Sequence, residues 1–176
     1  MKRVNFEFKA RLSDEQHVRT VLKNLRARFV GTDHQVDTYF RVPEGRLKIR
    51  EGRIENALIF YRRDDKPRTR RAAIDMMLLP RRNSVRAILG DALGVLAAVE
   101  KRREIFFVGN VKIHLDRVRG LGKFLEVEAI SRTGDSKKIR AQARRFQKLF
   151  RIPTADIIPH SYSDLILRAG TSEARS

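Results

Sequence analysis

The sequence predicts an α+β fold in which eight antiparallel strands close into a barrel, or tunnel, with helices on its flanks. Three observations lead to this prediction: charged and apolar residues alternate in short runs, tight turns separate the runs, and amphipathic segments follow the first, fifth and eighth run. Side chains alternate across a strand, so residues 4–9 place Glu7 and Lys9 on one face and Phe6 and Phe8 on the other. Closure would enclose the charged face, and the helices would cover the apolar face.

In the first half of the chain, alternation predicts five strands, over residues 2–11, 35–41, 46–50, 57–63 and 72–79. A helix is predicted over 14–28, because Ser13 and Asp14 offer an N-cap and apolar residues then recur at helical spacing. Residues 43–45 contain proline and glycine and predict a tight turn. The polar residues 64–71 are predicted to form a mobile loop.

In the second half, a helix is predicted over 82–93, with Gly94 just beyond its end. Three further strands are predicted, over 99–108, 111–118 and 123–131, with a hairpin turn at residues 109–110. A basic helix capped by Asp135 or Ser136 is predicted to reach about residue 150, and a short helix over 161–168 follows. Without a linker or an internal repeat, residues 1–170 are predicted to form a single domain, followed by a polar tail at 171–176.

Composition sets limits on the function. Cysteine is absent, which excludes disulfides and thiolate metal sites. No apolar run approaches the ~20 residues that span a bilayer, so we expect a cytoplasmic protein without a membrane partner, as a monomer or a homodimer. The net charge of +18 is expected to attract polyanions such as nucleotides, polyphosphate or RNA. The basic helix suggests weak RNA or polyphosphate binding at the surface, although such a face is usually only solvated.

Carboxylates on the charged strand faces are candidate metal ligands. Glu126 and Glu128 are two residues apart and therefore share a strand face, and Glu7 and Asp116 could join them from other strands. Mg²⁺ or Mn²⁺ binds through hard oxygen ligands, often completed by phosphate oxygens. The alternative is that these carboxylates form ordinary cross-strand ion pairs on a solvated face.

Cations of the same parity are candidate phosphate ligands, because several lysines and arginines are needed to neutralise a triphosphate. They are Lys9, Lys48, Arg50, Arg62, Lys101, Arg103 and Lys112. His114 could act as an acid, a base or a phosphate donor, although the simplest interpretation is a hydrogen-bonded barrel histidine. For each cation taken singly, the alternative is a surface residue that contributes to solubility.

Several motifs, taken in order, resemble those of the CYTH superfamily, the triphosphate tunnel enzymes. Asn5, Glu7 and Lys9 correspond to the E-x-E-x-K signature of that family. The other motifs are DTYF at 37–40, RLKIR at 46–50, HLD at 114–116, GLGKFLEVE at 120–128 and SYSDL at 161–165. The resemblance covers about residues 2–167 and is closest to the bacterial branch called class IV adenylyl cyclase.

The resemblance implies an antiparallel tunnel in which glutamates hold Mg²⁺ or Mn²⁺ and inward cations hold the phosphates. We therefore expect an enzyme that converts ATP to cyclic AMP and pyrophosphate. Its candidate catalytic residues are Lys9, Arg103, Lys112 and His114. One alternative is hydrolysis of an inorganic, thiamine or nucleoside triphosphate. Another is an impaired module that only binds polyphosphate or RNA, since Asn5 stands where the signature has glutamate and offers an oxygen without charge.

Overall fold

The computed structural model describes residues 2–63, 70–131 and 136–173. Its strands are β1 (Lys2–Arg11), β2 (Arg28–Phe40), β3 (Arg46–Glu51), β4 (Ala57–Arg63), β5 (Arg70–Leu78), β6 (Val95–Val108), β7 (Val111–Val118) and β8 (Gly122–Ser131). Its α-helices are α1 (Glu15–Asn24), α2 (Val85–Leu93), α3 (Ser136–Leu149) and α4 (Tyr162–Glu173), with a 3-10 turn at Thr154–Asp156. None of the helices in this described part has the length and apolar character needed to cross a bilayer.

The strands form an antiparallel ring in the order β1-β5-β4-β3-β2-β6-β7-β8. Each strand pairs with two neighbours, and the pairing of β1 with both β5 and β8 completes the ring. The eight antiparallel strands and the flanking helices confirm the predicted α+β class. As predicted, α1, α2 and α3 follow the first, fifth and eighth strands.

The apolar outer face of the ring forms the main core. Helices α1 and α3 cover it, and α3 packs on β1 and β8. Val18 and Leu22 of α1 and Ile139 and Phe146 of α3 are buried against the strands. The helices therefore fix the outward face of these strands, and alternation then directs the intervening charged residues into the ring.

A second apolar cluster lies at one end of the ring, where α4 crosses it. Its buried members are Tyr39, Val99, Val118, Phe124 and Tyr162. The rings of Phe124 and Tyr162 meet edge to face with centroids 5.0 Å apart. This cluster closes one end of the lumen and leaves the opposite end as the wider opening.

Some predicted boundaries differ from the structure. Helix α1 ends at Asn24 rather than at 28, because Arg26 has φ +50 and β2 begins at Arg28. Helix α4 continues to Glu173, beyond the predicted end at 168. The predicted loop at 64–71 falls largely on residues 64–69, which lie outside the described part, as do Asp135 and residues 174–176 of the predicted tail.

Candidate functional site

The lumen of the ring is lined by charged side chains from six strands. Eleven of these residues are each at most 9% exposed: Glu7, Lys9, Asp37, Lys48, Arg50, Lys101, Arg103, Lys112, His114, Asp116 and Glu126. Alternation places them there, since their sequence neighbours on β1, β7 and β8 belong to the core under α1 and α3. Burial of so much charge requires that the groups pair with one another or with a ligand.

Asp37 on β2 binds three of the buried cations. Its carboxylate accepts from Arg50 Nε and Nη2 at 2.8 and 2.9 Å and from Lys48 Nζ at 2.8 Å. Lys101 Nζ lies 2.7 Å from Asp37 Oδ2. Burial alone would raise the pKa of Asp37, but these cations outweigh it and hold the pKa well below its ordinary value. Our sequence analysis placed Asp37 only within a motif and missed this role.

Arg103 on β6 binds two carboxylates of the neighbouring strands. It donates to both oxygens of Asp116, at 2.6 and 2.5 Å, and to Glu126 Oε2 at 2.7 Å. The Tyr162 hydroxyl also donates to Asp116, at 2.7 Å. Burial would raise the pKa of Asp116, but Arg103 overrides that effect and lowers it. Both oxygens of Asp116 take part in these hydrogen bonds, and its role as a metal ligand stays a prediction.

His114, Glu126 and Glu128 form a cluster whose ligand atoms all lie within 4.8 Å of one another. His114 Nδ1 is 3.4 Å from Glu126 Oε2 and 3.8 Å from Glu128 Oε1. Glu7 faces Glu128 across the β1–β8 pairing. This grouping agrees with the predicted glutamates and adds His114, which our sequence analysis did not treat as a metal ligand.

Two orphaned polar groups beside the cluster fit a divalent cation. Within the described residues, Asn5 Oδ1 has no hydrogen-bond partner, and neither ring nitrogen of the fully buried His114 makes a well-formed hydrogen bond, since Nδ1 has only the 3.4 Å contact with Glu126. Burial, together with Arg103, lowers the pKa of His114 and keeps the imidazole neutral, so a nitrogen lone pair is available. Neutral imidazole and carboxylate oxygens form a donor set suited to Mn²⁺ and, less well, to Mg²⁺. The residues present therefore fit the implied metal.

Glu55, on the loop between β3 and β4, is a further charged residue of the lumen that the sequence pattern did not indicate. It accepts from Arg50 Nη1 at 2.9 Å and from Gln35 Nε2 at 3.1 Å, and it forms a short hydrogen bond with Lys112. Burial would raise the pKa of Glu55, but Arg50 and Lys112 hold it well below its ordinary value. Glu55 therefore joins the cations of β3 and β7 at one end of the lumen.

Asp33 fixes the loop that carries Glu55. Its carboxylate accepts from the backbone N–H groups of Arg53 and Glu55, at 2.7 and 3.0 Å. Gly52 is required here, because a Cβ at this position would lie 2.5 Å from Asp33 Oδ2. The loop is thus held in one conformation by a buried side chain of β2.

The SYSDL segment forms a capping box at the start of α4. Ser161 Oγ accepts from the Asp164 N–H at 3.1 Å, and Asp164 Oδ2 accepts from the Ser161 N–H at 2.8 Å. Arg46 donates to the same carboxylate at 2.9 Å. This capping box positions Tyr162, whose ring lies 3.7 Å from Lys9 Nζ. The motif therefore builds the closed end of the lumen.

Six of the seven predicted phosphate ligands divide into three groups. Lys9, Lys48, Arg50 and Arg103 line the inner cavity of the lumen, whose remaining walls include Glu7, Glu126, Glu128, Tyr39, Tyr61 and Tyr162. Lys112 lines the wider opening. Lys101 lies behind Asp37 and lines neither cavity, because its fully buried ammonium is used in that ion pair.

The prediction for Arg62 was wrong. Its side chain is 65% exposed on the outside of the ring and lies 3.7 Å from Glu44, with its guanidinium beside the Phe60 ring. Tyr61, not Arg62, faces the lumen. Strand β4 is paired in the register that directs Ala57, Ile59 and Tyr61 inward, and the neighbouring Arg62 must then point outward.

An antiparallel ring whose enclosed face carries matched acidic and basic side chains defines the triphosphate tunnel class of proteins. The CYTH domain model matches residues 4–162, and the chain belongs to that family. A protein of Methanocaldococcus jannaschii, named "putative adenylate cyclase", is 26% identical over an alignment of 172 residues that covers 92% of this chain and 98% of the relative.

Two solved structures have the same fold. A Pyrococcus horikoshii protein is 22% identical with a TM-score of 0.77, and the match covers 92% of this chain and 98% of the other. A Vibrio parahaemolyticus protein, titled "putative adenylate cyclase", is 20% identical with a TM-score of 0.73, covering 93% and 98%. These similarities support the fold independently of the pattern analysis.

Proposed function

We propose that this protein is a metal-dependent enzyme that acts on a triphosphate inside the lumen, and that its reaction is the conversion of ATP to cyclic AMP and pyrophosphate. The single observation that carries the proposal is the inner cavity itself. Lys9, Lys48, Arg50 and Arg103 converge there beside the cluster that includes Glu126. Cations that can hold phosphates thus adjoin carboxylates that can hold a metal. The name of the Methanocaldococcus relative supports the choice of cyclase.

The balance of charge in the lumen supports metal dependence. Its six buried lysines and arginines are Lys9, Lys48, Arg50, Lys101, Arg103 and Lys112. They are matched by the carboxylates Glu7, Asp37, Glu55, Asp116, Glu126 and Glu128. The lumen of the described residues therefore has no cationic surplus, although the chain as a whole has a net charge of +18. A divalent cation would supply the positive charge that a triphosphate requires.

We assign the metal to Glu126, Glu128 and His114, with Glu7 and Asn5 adjacent. When bound, the metal would act as a Lewis acid on a phosphate oxygen and would orient the phosphate chain. Glu126 is shared with Arg103, so the metal site and the phosphate ligands are joined through one carboxylate. The neutral imidazole of His114 would then act as a metal ligand rather than as an acid.

In the cyclase reaction the ribose 3′-hydroxyl attacks the α-phosphorus, the bond from that phosphorus to the bridging oxygen breaks, and pyrophosphate leaves while the hydroxyl proton is released to solvent. Lys9 and Arg103 would stabilise the charge that develops on the phosphate oxygens, and Lys48 and Arg50 would hold the remaining phosphates. Their carboxylate partners fix these cations before the substrate arrives, so little reorganisation accompanies the reaction. Lys112, at the wider opening, would contact the part of the phosphate chain nearest to that end.

Hydrolysis of a triphosphate is a second candidate. The phosphate-binding groups of the inner cavity would hold any triphosphate, and nothing in that cavity selects a base. The same residues would hold the phosphates, and a water molecule instead of the ribose hydroxyl would attack a terminal phosphorus.

Product analysis distinguishes these proposals. The protein is incubated with ATP or inorganic tripolyphosphate and Mn²⁺ or Mg²⁺, and the products are separated by anion-exchange chromatography. Cyclic AMP with equimolar pyrophosphate supports the cyclase, and ADP with phosphate, or pyrophosphate with phosphate from tripolyphosphate, supports the hydrolase. If neither substrate yields either set of products, an enzymatic function is rejected. Binding without turnover would then favour the polyphosphate-binding module.

A further inference from the structure

A second cavity of about 440 Å³ lies at the wider end of the lumen, opposite α4. One wall is apolar and comes from β4, β5 and the loop between β3 and β4, with Ile54, Ala57, Ile59, Met76 and Leu78. Arg53 and Arg81 lie at its polar rim. We call this cavity the mouth pocket. Its volume is within the range of sites that bind small organic molecules.

The mouth pocket is continuous with the inner cavity. Arg50, Ile59 and Glu128 line both. Lys112 and Glu55, which pair with each other, lie on the mouth-pocket side of this junction. A ligand held by the cations of the inner cavity therefore has a direct path into the mouth pocket.

The two ends of the lumen differ in character. Tyr162 and Phe124 close the α4 end with buried aromatic rings. At the mouth pocket, by contrast, Ile54 is 42% exposed and Leu78 is 70% exposed. These two side chains contribute little burial to the fold, and a ligand in the pocket would cover apolar surface that is otherwise in contact with water.

The apolar wall is held in place before any ligand binds. Asn56 Nδ2 donates to the carbonyl oxygens of Leu79 and Pro80, at 3.3 and 2.8 Å, which ties the loop to the end of β5. Ile54 lies over Gly31, where a Cβ would approach Ile54 Cδ1 to 2.9 Å. A rigid apolar wall suits a flat, weakly hydrated ring system and gives no stabilisation to a phosphate group.

We infer that the mouth pocket binds the organic group of the triphosphate, with the phosphate chain running from Arg50 and Lys112 inward to Lys9 and Arg103. This inference rests on the proposed function, and it adds a direction of binding and a site for the organic group. The substrate is an organic triphosphate that carries a ring system, such as a nucleoside triphosphate. Inorganic tripolyphosphate would occupy only the inner cavity.

The test compares ATP with inorganic tripolyphosphate on variants of the mouth pocket. Calorimetric titrations in Mn²⁺ are made with wild type, Ile54→Ser, Leu78→Ser and the control Met77→Ser. Met77 neighbours Leu78 on β5 but is 53% exposed and lies outside the mouth-pocket lining. Each pocket variant is expected to weaken ATP binding roughly five- to tenfold, as partial loss of a buried aliphatic side chain predicts. The affinity for tripolyphosphate should stay within about twofold of wild type, and Met77→Ser should change neither ligand.

The inference is overturned if the pocket variants weaken both ligands equally, or neither, while wild type binds both. The inference is also overturned if wild type binds tripolyphosphate at least as tightly as ATP. That result would leave the proposed inner phosphate site intact. Binding of neither ligand by the folded wild type would instead remove the proposed function, and with it this inference.

Discussion

Asn5 donates from Nδ2 to Glu128 Oε2 at 3.2 Å, and its Oδ1 is buried without a hydrogen-bond partner in the described part of the chain. The amide therefore faces the cluster of His114, Glu126 and Glu128 with a neutral oxygen where the family signature has a carboxylate. A hydrogen bond replaces what would be repulsion between two carboxylates. The proposed metal site thus combines a reduced negative charge with a candidate nitrogen ligand.

Asn5→Glu is expected to couple folding to metal binding. In the absence of metal the new carboxylate would be repelled by Glu128 and would lower the Tm, and Mn²⁺ should restore it because the added charge strengthens the site. Thermal unfolding with and without Mn²⁺ measures both effects. The control is Asn5→Gln, which keeps the amide. An Asn5→Glu Tm that does not respond to Mn²⁺ would contradict the assignment of the metal to this cluster.

His114→Gln is expected to reduce the preference for Mn²⁺. Imidazole nitrogen favours transition metals, whereas Mg²⁺ prefers oxygen ligands. Wild type should therefore bind Mn²⁺ at least about tenfold more tightly than Mg²⁺, and the variant should show a smaller ratio. Calorimetric titration of each metal gives the ratio. His34→Gln is the matched control, because His34 is exposed on β2. An unchanged ratio in His114→Gln would exclude His114 as a ligand.

Asp37→Asn is expected to destabilise the fold by about 3–5 kcal/mol, the usual cost of leaving a buried charge without its partner. Lys48, Arg50 and Lys101 would lose their shared carboxylate. Urea unfolding measures the loss, and tripolyphosphate should recover part of it by binding the released cations. Glu44→Gln, which breaks an exposed ion pair with Arg62, should have no measurable effect. Equal stability of Asp37→Asn and wild type would disprove the role of Asp37.

The same carboxylate is expected to make stability depend on acid pH. The folded pKa of Asp37 lies well below its value in the unfolded chain, which is about 3.9. Its contribution is therefore complete above that value and is lost as the pH falls through the folded pKa. Urea unfolding at about pH 5, 3.5 and 2.5 should show a steeper loss below the unfolded pKa in wild type than in Asp37→Asn. Parallel losses in the two proteins would show that Asp37 does not titrate abnormally.

The sequence could predict the ring and most of its charged interior, because charged and apolar residues alternate in β1, β3, β7 and β8. It failed at β4, where residues 58–61 are all apolar and nothing in the pattern fixes the phase. Arg62 was therefore assigned to the wrong face. The pairing register with the neighbouring strands decides which side chains of such a strand point into the lumen, and that register is known only from the fold.

Two further features of the site could not be read from the strand pattern: the position of Glu55 and the depth of Lys101. Glu55 lies in a loop, and periodicity says nothing about where a loop residue points. Its place depends on nearby Gly52 and on Asp33, which is 22 residues away in the sequence but adjacent in space. Lys101 has the right parity, yet its depth behind Asp37 follows from the packing of β2 against β6.

A crystal structure grown with Mn²⁺ and tripolyphosphate tests the central claim most directly. The account predicts anomalous Mn²⁺ density in contact with Glu126, Glu128 and His114, and phosphate density between Lys9 and Arg103 within the ring. Metal and phosphate bound only on the outer basic surface, such as along α3, would contradict it.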